Sequence, residues 1–375
     1  MRSILQVLAA VACLLASLPV VAAPTRTRNV VLVVCDGLRW QEVFTGADPL
    51  LLGDKTAGGS WTSAAELDRE FGGAGATERR ERLFPFLWGT VARRGQIFGN
   101  PLVGSRVRVT NGVLVSYPGY NEMLTGRADP RIDGNEFGPN PNLTVFEWLN
   151  GTGEFHGRVE VFGTWSTLAD IFDAPRTHLP VRVGATLVDP RDRSPEGRLF
   201  RQLYETTTRL YGSNPFDGFL HVALREHLKR HRPRVLFVGY GDTDLWAHMG
   251  RYDLVLETAH GFDRFVGELW QELQSMPEYR DRTTLILTAD HGRGTGREDW
   301  KEHGVRQPGS EDIWLAVMGP DTTPRGERRA VTDLTQSQIA ATVAAFLGRD
   351  FRSAVPEAAG PVLDVLAAPA GARAP

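Results

Sequence analysis

The chain predicts an α/β fold with a mainly parallel central sheet, and three observations carry that expectation. Continuous β-branched and apolar runs at 29–35, 235–238, 283–287 and 313–318 lack the alternation of half-buried strands and suit strands buried on both faces. Helical patterns lie between these runs, the order that produces crossover connections. Acids and imidazoles stand directly after them, as in Cys35-Asp36-Gly37 and Ala289-Asp290-His291-Gly292.

In chain order, the N-terminus comes first. Arg2, an apolar stretch over 4–18 and Val20-Val21-Ala22-Ala23 before Pro24 have the layout of a secretory signal peptide covering 1–23, too short for a lasting membrane span. The expectation is cleavage near Ala22 or Ala23, a periplasmic or secreted product, and no stable membrane insertion afterwards. Cys13 lacks the leading Leu of a lipid-attachment signal, and the apolar run continues beyond it. Of the two cysteines only Cys35 would remain, so no disulfide can form within the mature chain. Loss of Arg2 moves the formal net charge from -3 to -4. So mild a balance speaks against duplex nucleic acid or an anionic membrane as the main partner. The basic charge is overwhelmingly Arg, with Lys only at 55, 229 and 301.

The expected catalytic domain covers 24–352. Val255, Ala259, Phe262, Val266 and Leu269 recur at helical spacing and should pack on the sheet, leaving His260 on a solvated face. Two polar stretches, 51–82 and 189–234, break the strand–helix pattern and read as insertions capping a site. Residues 353–375, rich in Ala, Pro and Gly, read as a disordered tail.

The chemistry collects where open α/β sheets place it, beyond the carboxyl ends of strands. Asp36 and Asp290 occupy such positions, and an acid there is costly to bury unless a cation compensates it. Asp244 and His248 are four apart, so one helical turn presents both to a single point. Asp242 is the alternative to Asp244, but only Asp244 has that spacing. Asp290 and His291 are adjacent at a strand end, and His303 follows in a polar, Gly-rich loop. Oxygen and imidazole ligands without thiolate suit Zn²⁺ first and Mn²⁺ second. Val113-Leu114-Val115 reads as a strand leading into Ser116, with Pro118 in the first turn of a helix that Gly126 can close. Ser116 would then sit at the positive end of that helix, where a phosphate or alkoxide is stabilised. Trp61, Trp88 and Trp165 are aromatics that could line a cleft.

The order Asp36-Gly37, Ser116-x-Pro118, Asp244-x-x-x-His248, Asp290-His291-Gly292, then His303 resembles the alkaline phosphatase superfamily, nearer its nucleotide pyrophosphatase/phosphodiesterase and cofactor-independent phosphoglycerate mutase branches. The resemblance covers essentially the whole mature chain. It implies an alkaline phosphatase-like sandwich with helices on both faces of the sheet, and two divalent metal ions. Asp244, His248 and His303 would hold one ion; Asp36, Asp290 and His291, together with Ser116, would hold the other. It also implies a small phosphorylated substrate and a phosphoserine intermediate on Ser116. Arg39, Arg127 and Asn135 are the candidates for phosphate contact. Tyr120 stands where sulfatases of the superfamily carry Arg, which disfavours a sulfatase-like hydrolase. Export disfavours a phosphate-transferring mutase. A catalytically silent binding protein should lack a ligand or the nucleophile, and none is missing.

Overall fold

The computed structural model describes residues 25–55, 61–210, 212 and 214–366. The expected signal peptide and residues 367–375 of the expected tail lie outside them. The main sheet has eight strands in the order β10-β2-β9-β7-β1-β6-β4-β5. In chain order these are β1 (Asn29–Cys35), β2 (Gly95–Phe98), β4 (Val159–Gly163), β5 (Val181–Val183), β6 (Val235–Tyr240), β7 (Thr283–Thr288), β9 (Leu315–Met318) and β10 (Gly326–Glu327). A second sheet joins β3 (Val107–Arg108), β8 (Asp312–Ile313) and β11 (Leu334–Thr335), in the order β11-β3-β8.

β1 pairs in parallel with both β6 and β7, Val30 facing Val235 on one side and Thr284 on the other. Every residue of β1, β6 and β7 is buried. Successive strand side chains point to opposite faces, so unbroken burial means that both faces of the sheet centre are covered. Each fully buried Val, Leu or Ile there contributes about 1.5–3 kcal/mol. β9 runs antiparallel to β7 and β2. The apolar run at 313–318 is therefore shared between two sheets: Ile313 pairs with Val107 of β3, while Leu315 starts β9.

The helices used below are α1 (Ala64–Phe71), α2 (Ala76–Leu83), α3 (Ser116–Thr125), α4 (Pro195–Thr206), α5 (Asp217–His231), α6 (Asp242–His248), α7 (Tyr252–Ser275) and α8 (Gln338–Phe346). In α7 the five residues expected to face the sheet are all buried. His260, expected in solvent, instead lies with Nδ1 2.9 Å from the Leu83 carbonyl oxygen and packs on Phe71, because α1 and α2 of the 51–82 stretch cover that side of α7. The 189–234 stretch divides. Leu220, Leu224 and Leu228 of α5 are buried in the main core, so α5 belongs to the sheet's own layer, and only the part before it stands apart.

Two local expectations are corrected. Val113-Leu114-Val115 is not a strand: the Asn111 side chain accepts from the amides of Val113 and Leu114, and Leu114 is left-handed at φ 61°. An Asx-type turn has taken the backbone donors that a sheet partner would need. Residues 353–366 are also no free tail. Phe351, Val355, Ala358, Val362 and Val365 are buried, and the Val362 amide donates to Thr342 in α8. Widely spaced apolar anchors hold a segment whose composition alone reads as disorder.

Candidate active site and metal centre

Each chemistry-bearing side chain enters from a strand end or a helix turn. β1 delivers Asp36, β7 is followed by Asp290 and His291, and α6 carries Asp244 and His248 one turn apart. α3 starts at Ser116 and ends at left-handed Gly126 (φ 78°). Gly119 lets α3 sit against the Asp290 backbone, since a Cβ there would lie 2.4 Å from the Asp290 carbonyl oxygen. Gly37 is constrained twice. Its φ is +58°, and a Cβ would stand 2.8 Å from Arg293 and 2.9 Å from Asp244.

These elements bring together six carboxylates and imidazoles around Ser116. Asp36, Asp290 and His291 form one group of converging donor atoms; Asp244, His291 and His303 form another, the atoms of each within 4.8 Å of one another. His248 adjoins the second, its Nε2 3.0 Å from His303 Nε2 and 3.4 Å from Asp244 Oδ2. His291 stacks on His303 with ring centroids 3.9 Å apart and so stands between the groups. Ser116 Oγ lies 3.2 Å from His291 Nε2. Asp242, the alternative to Asp244, lines the same cleft but accepts from the Asp217 amide.

The donor set fits divalent cations. Asp36 Oδ1 and Asp290 Oδ2 are buried without a hydrogen-bond partner, both 3.5 Å from His291 Nε2. A buried, unpaired carboxylate oxygen is costly unless a cation answers it. His291 Nδ1 donates to the Gly292 carbonyl and His303 Nδ1 to that of Leu114, which leaves each Nε2 lone pair turned into the site. Two imidazole Nε2 atoms 3.0 Å apart, those of His248 and His303, otherwise face each other with little to share. Cys35 Sγ belongs to neither group and lies 3.3 Å from Thr243 Oγ1.

Electrostatics divide the carboxylates. Burial, and then the charge of Asp290, pushes Asp36 well above the ordinary carboxylate range; burial pushes Asp290 up to about 6. Burial would also raise Asp244, but the Arg293 guanidinium, then His248 and His303, outweigh it and hold that carboxyl low. Burial pulls His291 down to about 4 and His303 down to about 3, so both rings are neutral at neutral pH, the form in which an imidazole can bind a metal ion.

Asn135 lines the cleft beside Ser116, with Oδ1 accepting from the Tyr117 amide at 2.9 Å. Arg39 and Arg127, the other candidates for phosphate contact, do not. Arg39 is buried against Glu42 and donates to the Gly294 carbonyl; Arg127 donates to Asn142 and pairs with Glu357. Acids next to each guanidinium in the fold have captured it. Among the three tryptophans, Trp165 lines the cleft, Trp88 is buried with Nε1 donating to the Val43 carbonyl, and exposed Trp61 lies under Arg251.

Sequence reasoning missed Arg293. Its buried guanidinium bonds Asp244 and the carbonyls of Trp300 and Lys301, tying the loop that bears His303 to α6. An Arg two residues after His291 in a polar loop carries no sequence signal that separates it from a solvated one. Phe216 and Leu210, which reach the cleft from the stretch before α5, were equally hidden.

Comparison with known proteins gives a family and a fold. The sequence model of type I phosphodiesterase / nucleotide pyrophosphatase matches residues 88–333. No curated protein sequence matches. Among solved structures, alkaline phosphatase PafA is similar at TM-score 0.56 and 13% identity, over 93% of this chain and 100% of that one. The phosphonate monoester hydrolase SpPMH from Silicibacter pomeroyi is similar at TM-score 0.54 and 13% identity, over 92% of this chain and 78% of that one. An alkaline phosphatase superfamily protein from Vibrio parahaemolyticus is similar at TM-score 0.51 and 12% identity, over 89% of this chain and 72% of that one. At such identities the likeness is one of fold. With the family match, it means that this chain belongs to the type I phosphodiesterase / nucleotide pyrophosphatase family, on an alkaline phosphatase fold, and is a hydrolase of phosphoric ester bonds.

Proposed function

We propose that the mature chain, a single catalytic domain from about residue 24, is an exported two-metal phosphodiesterase that works through a phosphoserine on Ser116. The observation that carries this reading is Ser116 Oγ, at the start of α3, 3.2 Å from Nε2 of His291, the residue shared by the two carboxylate–imidazole groups. Asp36, Asp290 and His291 would hold one divalent cation, and Asp244, His248 and His303 the other, Zn²⁺ before Mn²⁺ on donor chemistry. Bound there, such a pair lowers the pKa of the serine hydroxyl and offsets charge on the attacking and leaving oxygens.

The chain's own groups do the rest. The Ser116 alkoxide attacks phosphorus, and one ester alcohol departs on the opposite side and takes up a proton; the serine then carries the phosphoryl group with its remaining ester arm, which water releases as a phosphomonoester. The positive end of α3 favours the negative charge that gathers beside Ser116. Because Asn135 Oδ1 is engaged by the Tyr117 amide, its Nδ2 is the donor left for a non-bridging phosphate oxygen.

Diester preference rests on the charge of the cleft, about 490 Å³ in volume. Among the described residues its lining holds Asp36, Asp242 and Asp244 but no Lys or Arg. A monoester dianion would find no cationic side chain for its second charge. A diester carries one charge and a second ester arm, which can lie on Trp165, Leu210 and Phe216. The test compares kcat/KM for bis-p-nitrophenyl and p-nitrophenyl phosphate with Zn²⁺ supplied. A higher value for the diester, with a nitrophenyl phosphate adduct trapped on Ser116 by acid quench, supports the reading. Preference for the monoester overturns the specificity, and full activity in Ser116→Ala overturns the nucleophile.

A further inference from the structure

The opposite pole of the sheet carries a pattern that catalysis does not use. β4, β5, β6, β7, β1, β2 and β10 run in one direction, and six of these seven strands are immediately preceded by an arginine. They are Arg28 before β1, Arg94 before β2, Arg158 before β4, Arg234 before β6, Arg282 before β7 and Arg325 before β10. All but half-buried Arg234 are exposed, while the first residue of β1, β2, β4, β6 and β7 is buried. Four of the six belong to the adjacent strands β7-β1-β6-β4, and neighbouring strands lie about 4.8 Å apart. Their backbones interlock: the Arg28 amide donates to the Arg282 carbonyl, and the Arg234 amide to that of Arg158.

A groove of about 840 Å³ runs along this row, lined by five arginines (28, 158, 232, 234 and 282) against Glu154 and Glu278, a surplus of three positive charges. Glu154 is shared between Arg234 and Arg349, and Glu278 pairs with Arg232. Arg28, Arg158 and Arg282 form no ion pair among the described residues. A net charge near zero therefore conceals a dipolar molecule, acidic in the cleft and basic at the other end.

We propose that this arginine pole is a peripheral docking surface for an anionic lipid bilayer. Two features favour lipid over nucleic acid. The apolar stretch 4–18 ends ten residues before Arg28, and ten residues span at most about 35 Å, so a membrane engaged by that stretch before cleavage meets this pole, and the released chain is left beside it. Among the described residues the groove lining also offers no exposed Trp, Tyr or Phe for bases to stack on, and its one exposed ring, His231, is already stacked on His227 at 3.9 Å. This choice rests on the export reading, whereas binding itself can be measured on purified protein without it. Docked by this pole, the enzyme would turn its cleft away from the bilayer, toward water-soluble phosphoesters.

The experiment is co-sedimentation of the purified protein, lacking residues 1–23, with phosphatidylglycerol-rich or pure phosphatidylcholine vesicles at low and high salt. Binding to the anionic vesicles alone, lost at high salt, is expected. Near an anionic surface each arginine is worth about fivefold in partition, so Arg28→Gln/Arg158→Gln/Arg282→Gln should bind on the order of 100-fold more weakly with diesterase activity unchanged. The corresponding triple Lys variant should keep most of the binding, which separates charge from misfolding. Three results would overturn the proposal: no preference for anionic vesicles, displacement by inorganic phosphate at constant ionic strength, or binding to duplex DNA but not to vesicles.

Discussion

At the carboxyl ends of β1 and β7 the chain buries Asp36, Asp290 and His291, whereas at the amino ends of the same strands it leaves Arg28 and Arg282 in water. Burial makes the first set chemically unusual. The acids resist ionisation, the imidazole stays neutral, and two carboxylate oxygens stand without partners. Exposure leaves the second set as ordinary cations whose effect is a long-range field. One pole gathers donor atoms suited to cations and the other presents positive charge, and the length of a strand separates them.

The largest effect that sharpens this contrast is expected from Ser116→Ala, which should lower diesterase turnover by at least about 10³-fold while vesicle binding is unchanged. Steady-state kinetics checks it, and a loss of less than tenfold would mean that Ser116 is not the nucleophile. Next, chelation should lower the melting temperature far more at pH 8 than at pH 5. A carboxyl raised by burial contributes stability below its ordinary pKa and loses it as pH rises through the folded value, about 6 for Asp290. At pH 8 the emptied site therefore holds charges that nothing answers; equal losses at both pH values would contradict the account.

A smaller effect is expected of Arg293→Met, which removes the guanidinium that orients Asp244 and holds the loop bearing His303. Loss of such a supporting partner typically weakens metal binding about 10–100-fold. Metal analysis after dialysis should show one ion retained and the other depleted; equal depletion of both would place Arg293 outside the second group's support. Gly37→Ala should destabilise by about 1–3 kcal/mol through its positive φ and the crowding of Arg293 and Asp244, read by denaturant unfolding. The smallest effect belongs to the far pole: Arg282→Gln should change kcat/KM by less than about twofold, because a single exposed charge that far away is screened.

Much of this was legible from sequence, for reasons particular residues make plain. β1 reads as a buried parallel strand because no polar residue interrupts Val30 to Cys35. Asp244 and His248 read as a pair because a helix turn forces them together. Ser116 could be placed at a helix start by Pro118 and Gly126, although the residues before it make an Asn111-centred turn rather than a strand. Arg39 and Arg127 show where such reading stops, since whether an arginine meets a phosphate or a neighbouring Glu depends on partners the chain brings near. His291 could be assigned by order to one group, but only packing against His303 sets it between two.

By itself the sequence determined the fold class, the strand-end acids, the helical pair and the hydroxyl among them, because these depend on short-range periodicity and spacing that backbone geometry enforces locally. Tertiary structure alone decided that Arg293 supports Asp244, that Trp165 and Phe216 share the cleft with Ser116, and that arginines hundreds of residues apart form one row. Those relations arise from strand order and register, which bring distant segments side by side, and neither leaves a mark in the neighbouring residues of the chain.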